Sequence, residues 1–434
     1  MVSVSSAVPK LPDGNIDIAQ WSQRLVQGHA RLQHEPLEEA ATWLSGFGDS
    51  LLLQSLELAE MVAELRLDQA AVLAAMTYPG LRRSLFDEDG LQRRVGDQAT
   101  RLCVSVATLA TSSLLEVSDT PVLGGQDSRQ VENIKRMMVS LIQDFRVAVI
   151  KLAERVQALR YAKDYDEARQ QRIAREAASV FAPLANRMGM WQLKWELEDL
   201  SLRYLREDIY LGIAKQLKRR RQEREAQVAE LVEVIQGQLA KAGITARVKG
   251  RAKNIFSIWR KMQSKGIALE DVHDVRAVRI VVDDLASCYA SLGIIHSTWS
   301  HVPSEFDDYI AVPKENGYQS IHTAITFDDG RSLEVQIRTR EMHENAELGV
   351  CAHWAYKEGT DEPDASGYAE KMGWLRQVID WHETLDGIES LPDLLAQRVA
   401  EDRIYVSTPR GHVLDLAAGA TVLDFAYRIH TELG

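Results

Sequence analysis

The apolar residues of this chain change their spacing at Gly243, and that change constrains its fold more than any other feature. Upstream, from about Ile16 to Tyr210, apolar residues recur every three or four positions. SLLLQSLELAEMVAEL (50–65) and NIKRMMVSLIQDFRVAVIKLAERVQALR (133–160) are examples, and the spacing predicts a bundle of many helices. Punctuation is sparse: Pro79-Gly80, Asp87 to Gly90, and Thr120 to Asp127. A long helix follows over 205–243. Beyond Gly243 the spacing alternates. ITARVKG, DVRAVRIVVDD, HSTWSHV, DYIAVP, SIHTAITF and RSLEVQIRT read as strands, the last two joined by a turn-forming Asp-Asp-Gly. One helix, NIFSIWRKMQSK, sits between the first two. With 434 residues the chain is too long for one ordinary core. The expected parts are a helical domain (1–195), connecting helices (196–243), a mixed α/β domain (244–357), a polar linker with a helical stretch (358–400), and a strand–turn–strand segment (401–434) that stops inside a small domain.

Composition limits the partners. A hydrophobic fraction of 45% suits a globular protein. A net charge of -12 argues against a surface that binds nucleic acid throughout, so any polyanion site must be a local basic island. The KRRR run at 218–221 is followed at once by acid and reads as a solvated helix face rather than an RNA contact. Cys103, Cys288 and Cys351 show no metal or disulfide spacing, which fits a reducing cytoplasm. No signal peptide and no membrane-spanning run is evident.

The basic island is RVKGRAKNIFSIWRKMQSK (247–265), with seven positive charges and no acid. A helix starting near Lys253 would align Lys253, Ser257 and Lys261 on one face, with Ile255, Ile258, Trp259 and Met262 beneath. Gly250 would let the backbone approach a ligand, and a helix start attracts phosphate. The alternative is a solvated basic face. Alternation in SLEVQIR puts Leu333, Val335 and Ile337 on one strand face and Glu334, Gln336 and Arg338 on the other. Asp274, at the mouth of the next apolar strand, is either a second site carboxylate or a strand-end cap. Two carboxylates near a phosphate cradle suit Mg²⁺-assisted phosphoryl chemistry. Tyr318, after the Asn316-Gly317 turn, either stacks on a purine or packs locally. His322 either binds phosphate or is a satisfied core histidine.

These blocks resemble the long RelA/SpoT-type synthetases. GRAKNIFSIWRKM, HDVRAVRIVV, EFDDYIAVPKENGYQSIHT, LEVQIRTREMHENAELGVCAHWAYK and FAPLANRMGMWQLKWELEDLSLRYL carry the resemblance, which runs from about residue 50 to the end. It implies a multidomain protein: an all-α degenerate HD-hydrolase-like domain, a mixed α/β nucleotidyltransferase-like synthetase domain, and a truncated β-grasp-like (TGS) segment. It implies transfer of pyrophosphate from ATP to the 3′-hydroxyl of GDP or GTP, with AMP leaving, in the stringent response. Asp274 would hold Mg²⁺, and Glu334 would complete the metal site or act as base. Arg251, Lys253, Ser257 and Lys261 would grip the ATP phosphates, and Arg279 would help on the ATP side. Lys314, Asn316, Tyr318 and His322 would hold the guanine nucleotide, with Gln336 and Arg338 lining the same face. Complete family members continue into regions that contact uncharged tRNA and the ribosome.

Two departures from the family's pattern matter. Its two-way enzymes carry a basic R-x-K-D where this chain has Glu305-Phe306-Asp307-Asp308, so the acidic form resembles the synthesis-only branch. In the helical half, Gln54, Thr77, Tyr78 and Glu154 stand where the hydrolase resemblance would place metal ligands. With no imidazole among them, a divalent site of that type is not expected. The competing readings are a bifunctional synthetase/hydrolase and a nucleotide-binding regulatory module without turnover.

Overall fold

The computed structural model describes residues 8–111 except 12, 144–352 except 220, 268, 270–275, 315 and 328–331, and then 403–407, 413–417 and 421. The chain divides into two units, 1–210 with 343–387 and 211–342 with 388–434. Each is considered separately.

The first unit is helical, as the spacing predicts. Its helices are α1 (Ile18–Gly28), α2 (His34–Ser45), α3 (Asp49–Glu64), α4 (Gln69–Arg82), α5 (Glu88–Thr111, kinked at Gly96), α6 (Phe145–Tyr161), α7 (Glu167–Glu176), α8 (Ala182–Arg187) and α9 (Trp191–Leu205). Asp17, Asp68, Asp144 and Asp166 each accept a backbone N–H at a helix start, satisfying donors the helix cannot. The apolar stripes of α3, α4 and α6 meet in one core that includes Leu56, Met61, Val72, Met76, Val149 and Leu152. Pro79-Gly80 does not break the chain here; α4 runs through both to Arg82. Gly80 leaves room for the Phe86 ring, which a Cβ would meet at 2.4 Å. Asp87 likewise starts a helix rather than a loop: its Oδ1 accepts from Gly90 N at 2.8 Å. The Thr120 to Asp127 stretch lies outside the described residues.

In the second unit the sheet runs in the order β1 (Ala246–Ala252), β2 (Arg276–Val282), β6 (Ser332–Thr339), β5 (Ile321–Thr326), β3 (Ser300–His301), with β4 (Asp307–Asp308) also paired to β5. Among the described residues, only the β2–β6 pair is parallel. Helix α10 (Glu207–Arg219) and helix α11 (Arg221–Lys241) cover the expected long helix, with residue 220 undescribed. Helix α12 (Ile255–Lys265) starts two residues later than expected, after Asn254. Helix α13 (Leu285–Thr298) was not expected.

Alternation sorts this sheet cleanly. One face presents Val248, Val278, Ile280, Val282, Ile321, Ile325, Leu333, Val335 and Ile337 to Ile235 and Leu239 of α11 and Cys288 and Ile295 of α13. The other face is polar. Two expected strands fail. HSTWSHV begins as the last turn of α13, through Thr298, and of its residues Ser300 and His301 join the sheet. DYIAVP leaves the sheet at once, because Asp308 Oδ1 accepts from Ile310 N at 3.0 Å and Ala311 N at 2.9 Å and turns the chain. Gly250 does not face a ligand. It lies on the apolar face, where a Cβ would meet Val228 Cγ1 of α11 at 2.6 Å. Helix α14 (Arg340–Leu348) follows β6 directly. Near the C-terminus, β7 (Arg403–Ser407) and β8 (Val413–Ala417) pair antiparallel, with Arg403 opposite Ala417.

Candidate active site

The strand registers assemble the polar face residue by residue. Gln336 lies opposite Arg279 on β2 and opposite His322 on β5. Glu334 lies opposite Ala277 and Ala324, Arg251 opposite Ala277, and Asp307 opposite His322. Arg251, Arg279, Glu334, Gln336, Arg338, His322 and Asp307 therefore share one face, with cations toward β1 and carboxylates toward β4.

A cleft of about 420 Å³ opens on this face, lined by Lys253, Ser257, Arg260, Lys261, Ser264, Glu305, Asp307, Lys314, His322, Ala324 and Glu334. The 3.6-residue repeat of α12 puts Ser257, Lys261 and Ser264 on the wall that Lys253 begins. Arg260 and Ser264 were not singled out from the sequence. Their signal was present, since 253, 257, 260 and 264 recur every three or four residues.

Ion pairs span the cleft. Lys261 Nζ lies 3.5 Å from Glu305 Oε2, and Lys253 Nζ lies 3.9 Å from Glu334 Oε2. Of the acidic motif, Glu305 and Asp307 line the cleft. Asp308 is committed to its turn and accepts from the Tyr289 hydroxyl at 3.0 Å.

Glu334 sits among donors: Gln336 Nε2 donates to its Oε1 at 2.7 Å, and His322 Nδ1 is 3.6 Å from the same oxygen. Burial, reinforced by Lys314, Arg251, Arg338 and Lys253, pulls the His322 imidazole down to about 3, so the ring is uncharged at neutral pH. Its Nε2 is 2.9 Å from the Tyr318 hydroxyl. The Tyr318 ring packs edgewise on Tyr309 and His322 rather than standing alone at a loop tip. Gly317 (φ +73°) and Asn316, whose Oδ1 accepts from Tyr318 N, shape the turn before it. Lys314 Nζ lies 4.1 Å from the Tyr309 ring centre. Gln336 and Arg338 are 2% and 1% exposed and do not line the cleft. Asp274 lies outside the described residues.

Among the described residues no group of three or more His, Cys, Asp or Glu is arranged to hold a metal ion. Magnesium does not need one, because it takes one or two carboxylates and completes its shell with substrate oxygens and water. Glu334, with an oxygen toward the cleft, fits that requirement.

The helical unit treats its candidate metal positions differently. Glu154 is buried against Arg82 Nη1 at 2.9 Å, Lys151 Nζ at 2.9 Å and Arg155 Nη2 at 2.6 Å, and Arg155 also reaches Glu176 at 3.1 Å. Burial alone would raise the Glu154 carboxyl, but Arg155, Lys151 and Arg82 outweigh it and hold it well below the usual range. Burial, then Arg155, brings the Lys151 ammonium down to about 8. Thr77 Oγ1 donates to Leu73 O at 2.8 Å, Gln54 Oε1 accepts from Arg83, and Tyr78 is buried. Protein cations thus occupy the only carboxylate of the four positions, and the donor set does not fit a divalent metal.

Comparison with known proteins agrees with this layout. Residues 250–361 match the family described as "Region found in RelA / SpoT proteins", residues 32–191 match an HD domain, and residues 404–434 match a TGS domain. Over 385 residues, 88% of the chain, it is 45% identical to the GTP pyrophosphokinase of Escherichia coli (strain K12), covering 51% of that protein. The chain belongs to the RelA/SpoT family. A second RelA/SpoT relative, the GTP pyrophosphokinase of Photobacterium angustum, is 44% identical over 89% of this chain and 52% of its own length. A third, from Synechocystis sp., is named a probable guanosine-3′,5′-bis(diphosphate) 3′-pyrophosphohydrolase. It is 36% identical over 89% of this chain and 50% of its own length. The chain thus spans about half the length of these curated relatives. In this member the order is an HD domain, a RelA/SpoT region with a mixed sheet, and a TGS segment. No described helix is long and apolar enough to cross a membrane.

Proposed function

We propose that this chain transfers the β,γ-pyrophosphoryl group of ATP to the 3′-hydroxyl of GDP or GTP and releases AMP. The observation that carries this reading is the cleft itself, which sets Lys253 and, on α12, Ser257, Arg260 and Lys261 across from the Glu334 carboxylate. A triphosphate needs clustered cations to offset its charge, and a sugar hydroxyl needs a carboxylate to take its proton. The name GTP pyrophosphokinase borne by two relatives supports the same chemistry.

In this mechanism Lys253, Lys261 and Arg260 hold the ATP phosphates, with Ser257 and Ser264 as hydroxyl donors. Arg251 and Arg279 add positive potential from the sheet. Lys314, Asn316, Tyr318 and His322 hold the guanine nucleotide. Glu334 accepts the proton of the 3′-hydroxyl as that oxygen bonds to the β-phosphorus. The bond between the β-phosphorus and the bridging oxygen breaks, and that oxygen leaves on AMP. Bound Mg²⁺, held by Glu334 with Asp274, would neutralise phosphate charge; most of the acceleration is positioning and charge compensation. The helical unit is proposed to be hydrolytically silent, because its Glu154 is saturated by Arg82, Lys151 and Arg155. In the full-length protein, the parts beyond this chain are proposed to bring in uncharged tRNA and the ribosome, with the cytoplasm as the compartment.

Product analysis with γ-labelled ATP tests the reaction class. Label should appear in a guanosine product while unlabelled AMP accumulates. ADP as the by-product would mean ordinary phosphoryl transfer and would overturn the proposal.

A further inference from the structure

We infer that Gln336 is a positioning residue that holds the Glu334 carboxylate, tying Oε1 down so that Oε2 is left toward the cleft. The inference rests on the reading of Glu334 given under the proposed function. Sequence alternation alone places Gln336 on the site face, where it would serve as a nucleotide contact. The structure gives it another task. At 2% exposure, and absent from the residues lining the cleft, Gln336 is shielded from a ligand, and its amide bends back along β6 to donate to Glu334 Oε1 at 2.7 Å.

His322 approaches the same oxygen from β5, with Nδ1 at 3.6 Å, and register holds it directly opposite Gln336. The hydroxyl on the far side of the ring can donate or accept, so the carboxylate on the near side decides the tautomer. Nε2 is 2.9 Å from the Tyr318 hydroxyl. If Nδ1 carries the proton, the phenol donates to Nε2 and Nδ1–H points at the carboxylate. The opposite tautomer would aim a lone pair at a negative oxygen. In the favoured arrangement Tyr318 donates to His322, whose Nδ1–H faces Glu334 at 3.6 Å, and Gln336 bonds the carboxylate from the other side.

Gln336 donates to Oε1 and His322 Nδ1 stands near it at 3.6 Å, while Oε2 lies 3.9 Å from Lys253 Nζ. A carboxylate free to rotate would exchange its oxygens; this one is held with a single oxygen available to the reacting hydroxyl or a cation. Such supporting contacts set geometry rather than affinity.

The test uses the full chain with Gln336→Leu, which keeps volume and removes the donor, and Gln336→Asn, which keeps polarity but is too short to reach. Steady-state kcat and KM are measured for ATP and GDP, with GDP affinity by calorimetry. Losing a hydrogen bond to a charged group should lower kcat about 10- to 100-fold in both variants. Both KM values and the GDP affinity should stay within about twofold. Glu334→Gln is run alongside. Wild-type kcat in the Gln336 variants with an inactive Glu334→Gln would overturn the positioning role and leave the Glu334 reading intact. A loss confined to GDP affinity would make Gln336 a nucleotide contact and also overturn it. Full turnover by Glu334→Gln would instead defeat the underlying reading.

Discussion

Replacing Glu154 with alanine should destabilise the helical unit more than any surface change. The carboxylate is 5% exposed and meets three cations within 2.9 Å, two of them, Lys151 and Arg155, themselves 6% and 9% exposed. Removing it leaves Lys151 without the acid that offsets its burial, and leaves Arg155 with the Glu176 carboxylate and the Phe181 ring. Breaking a buried ion pair from one side costs about 3–5 kcal/mol, because the remaining charge stays desolvated. For a unit of this size that corresponds to a fall of roughly 6–20 °C in Tm. Differential scanning calorimetry, with urea unfolding followed by far-ultraviolet dichroism, reads both quantities. The pH dependence has a definite sign. Glu154 titrates below its unfolded value, so its stabilisation is present above the unfolded carboxyl range and is lost as pH falls through the folded one. The alanine variant should therefore lose less stability on acidification than the parent. A change below about 1 kcal/mol, or an unchanged acid response, would refute the view that this ion cluster ties α4, α6 and α7 together.

Other expectations follow from the second unit. Lys253→Ala and Lys261→Ala should each raise KM for ATP about 10- to 100-fold, as loss of one charge-assisted contact implies; unchanged ATP dependence in both would remove the phosphate wall. Tyr318→Ala should weaken GDP binding by about 1–3 kcal/mol if the ring stacks on the base. Tyr318→Phe should not be silent, since its hydroxyl lies 2.9 Å from His322 Nε2; a loss of about 0.5–1.5 kcal/mol in kcat/KM is expected. Gly250→Ala should destabilise the second unit by about 1–3 kcal/mol through the Val228 clash, visible as a lower urea midpoint; an unchanged midpoint would contradict the packing.

What the sequence reveals here depends on how each element is buried. Strands β1, β2, β5 and β6 were legible because one face is buried and the other polar, which forces alternation. Helix α12 was legible for the same reason in its own period. Helix α13 was not: Leu285 and Tyr289 are exposed while Cys288, Ser291 and Ile295 are buried, so no clean apolar stripe marks it. Its readable trace was Asp284, whose carboxylate accepts from Ser287 N and Oγ. DYIAVP has strand composition, but the local bonds of Asp308 outcompete the ladder. Alternation told which face Gln336 occupies, yet not that its amide folds along the strand onto Glu334. The residue types at Gln54, Thr77, Tyr78 and Glu154 were legible in the sequence. The full set of cations around Glu154 was not, because Arg82 reaches it only once α4 is packed against α6.

The central claim is that Glu334 drives turnover in a cleft that binds both nucleotides. Equilibrium binding of GDP and of a non-hydrolysable ATP analogue, measured beside AMP release for wild type and Glu334→Gln, tests it most directly. The account predicts that the variant binds both nucleotides within a few-fold of wild type and releases no AMP above background. AMP release by Glu334→Gln at a rate close to wild type would contradict it, as would a wild-type protein that binds both nucleotides and never turns over.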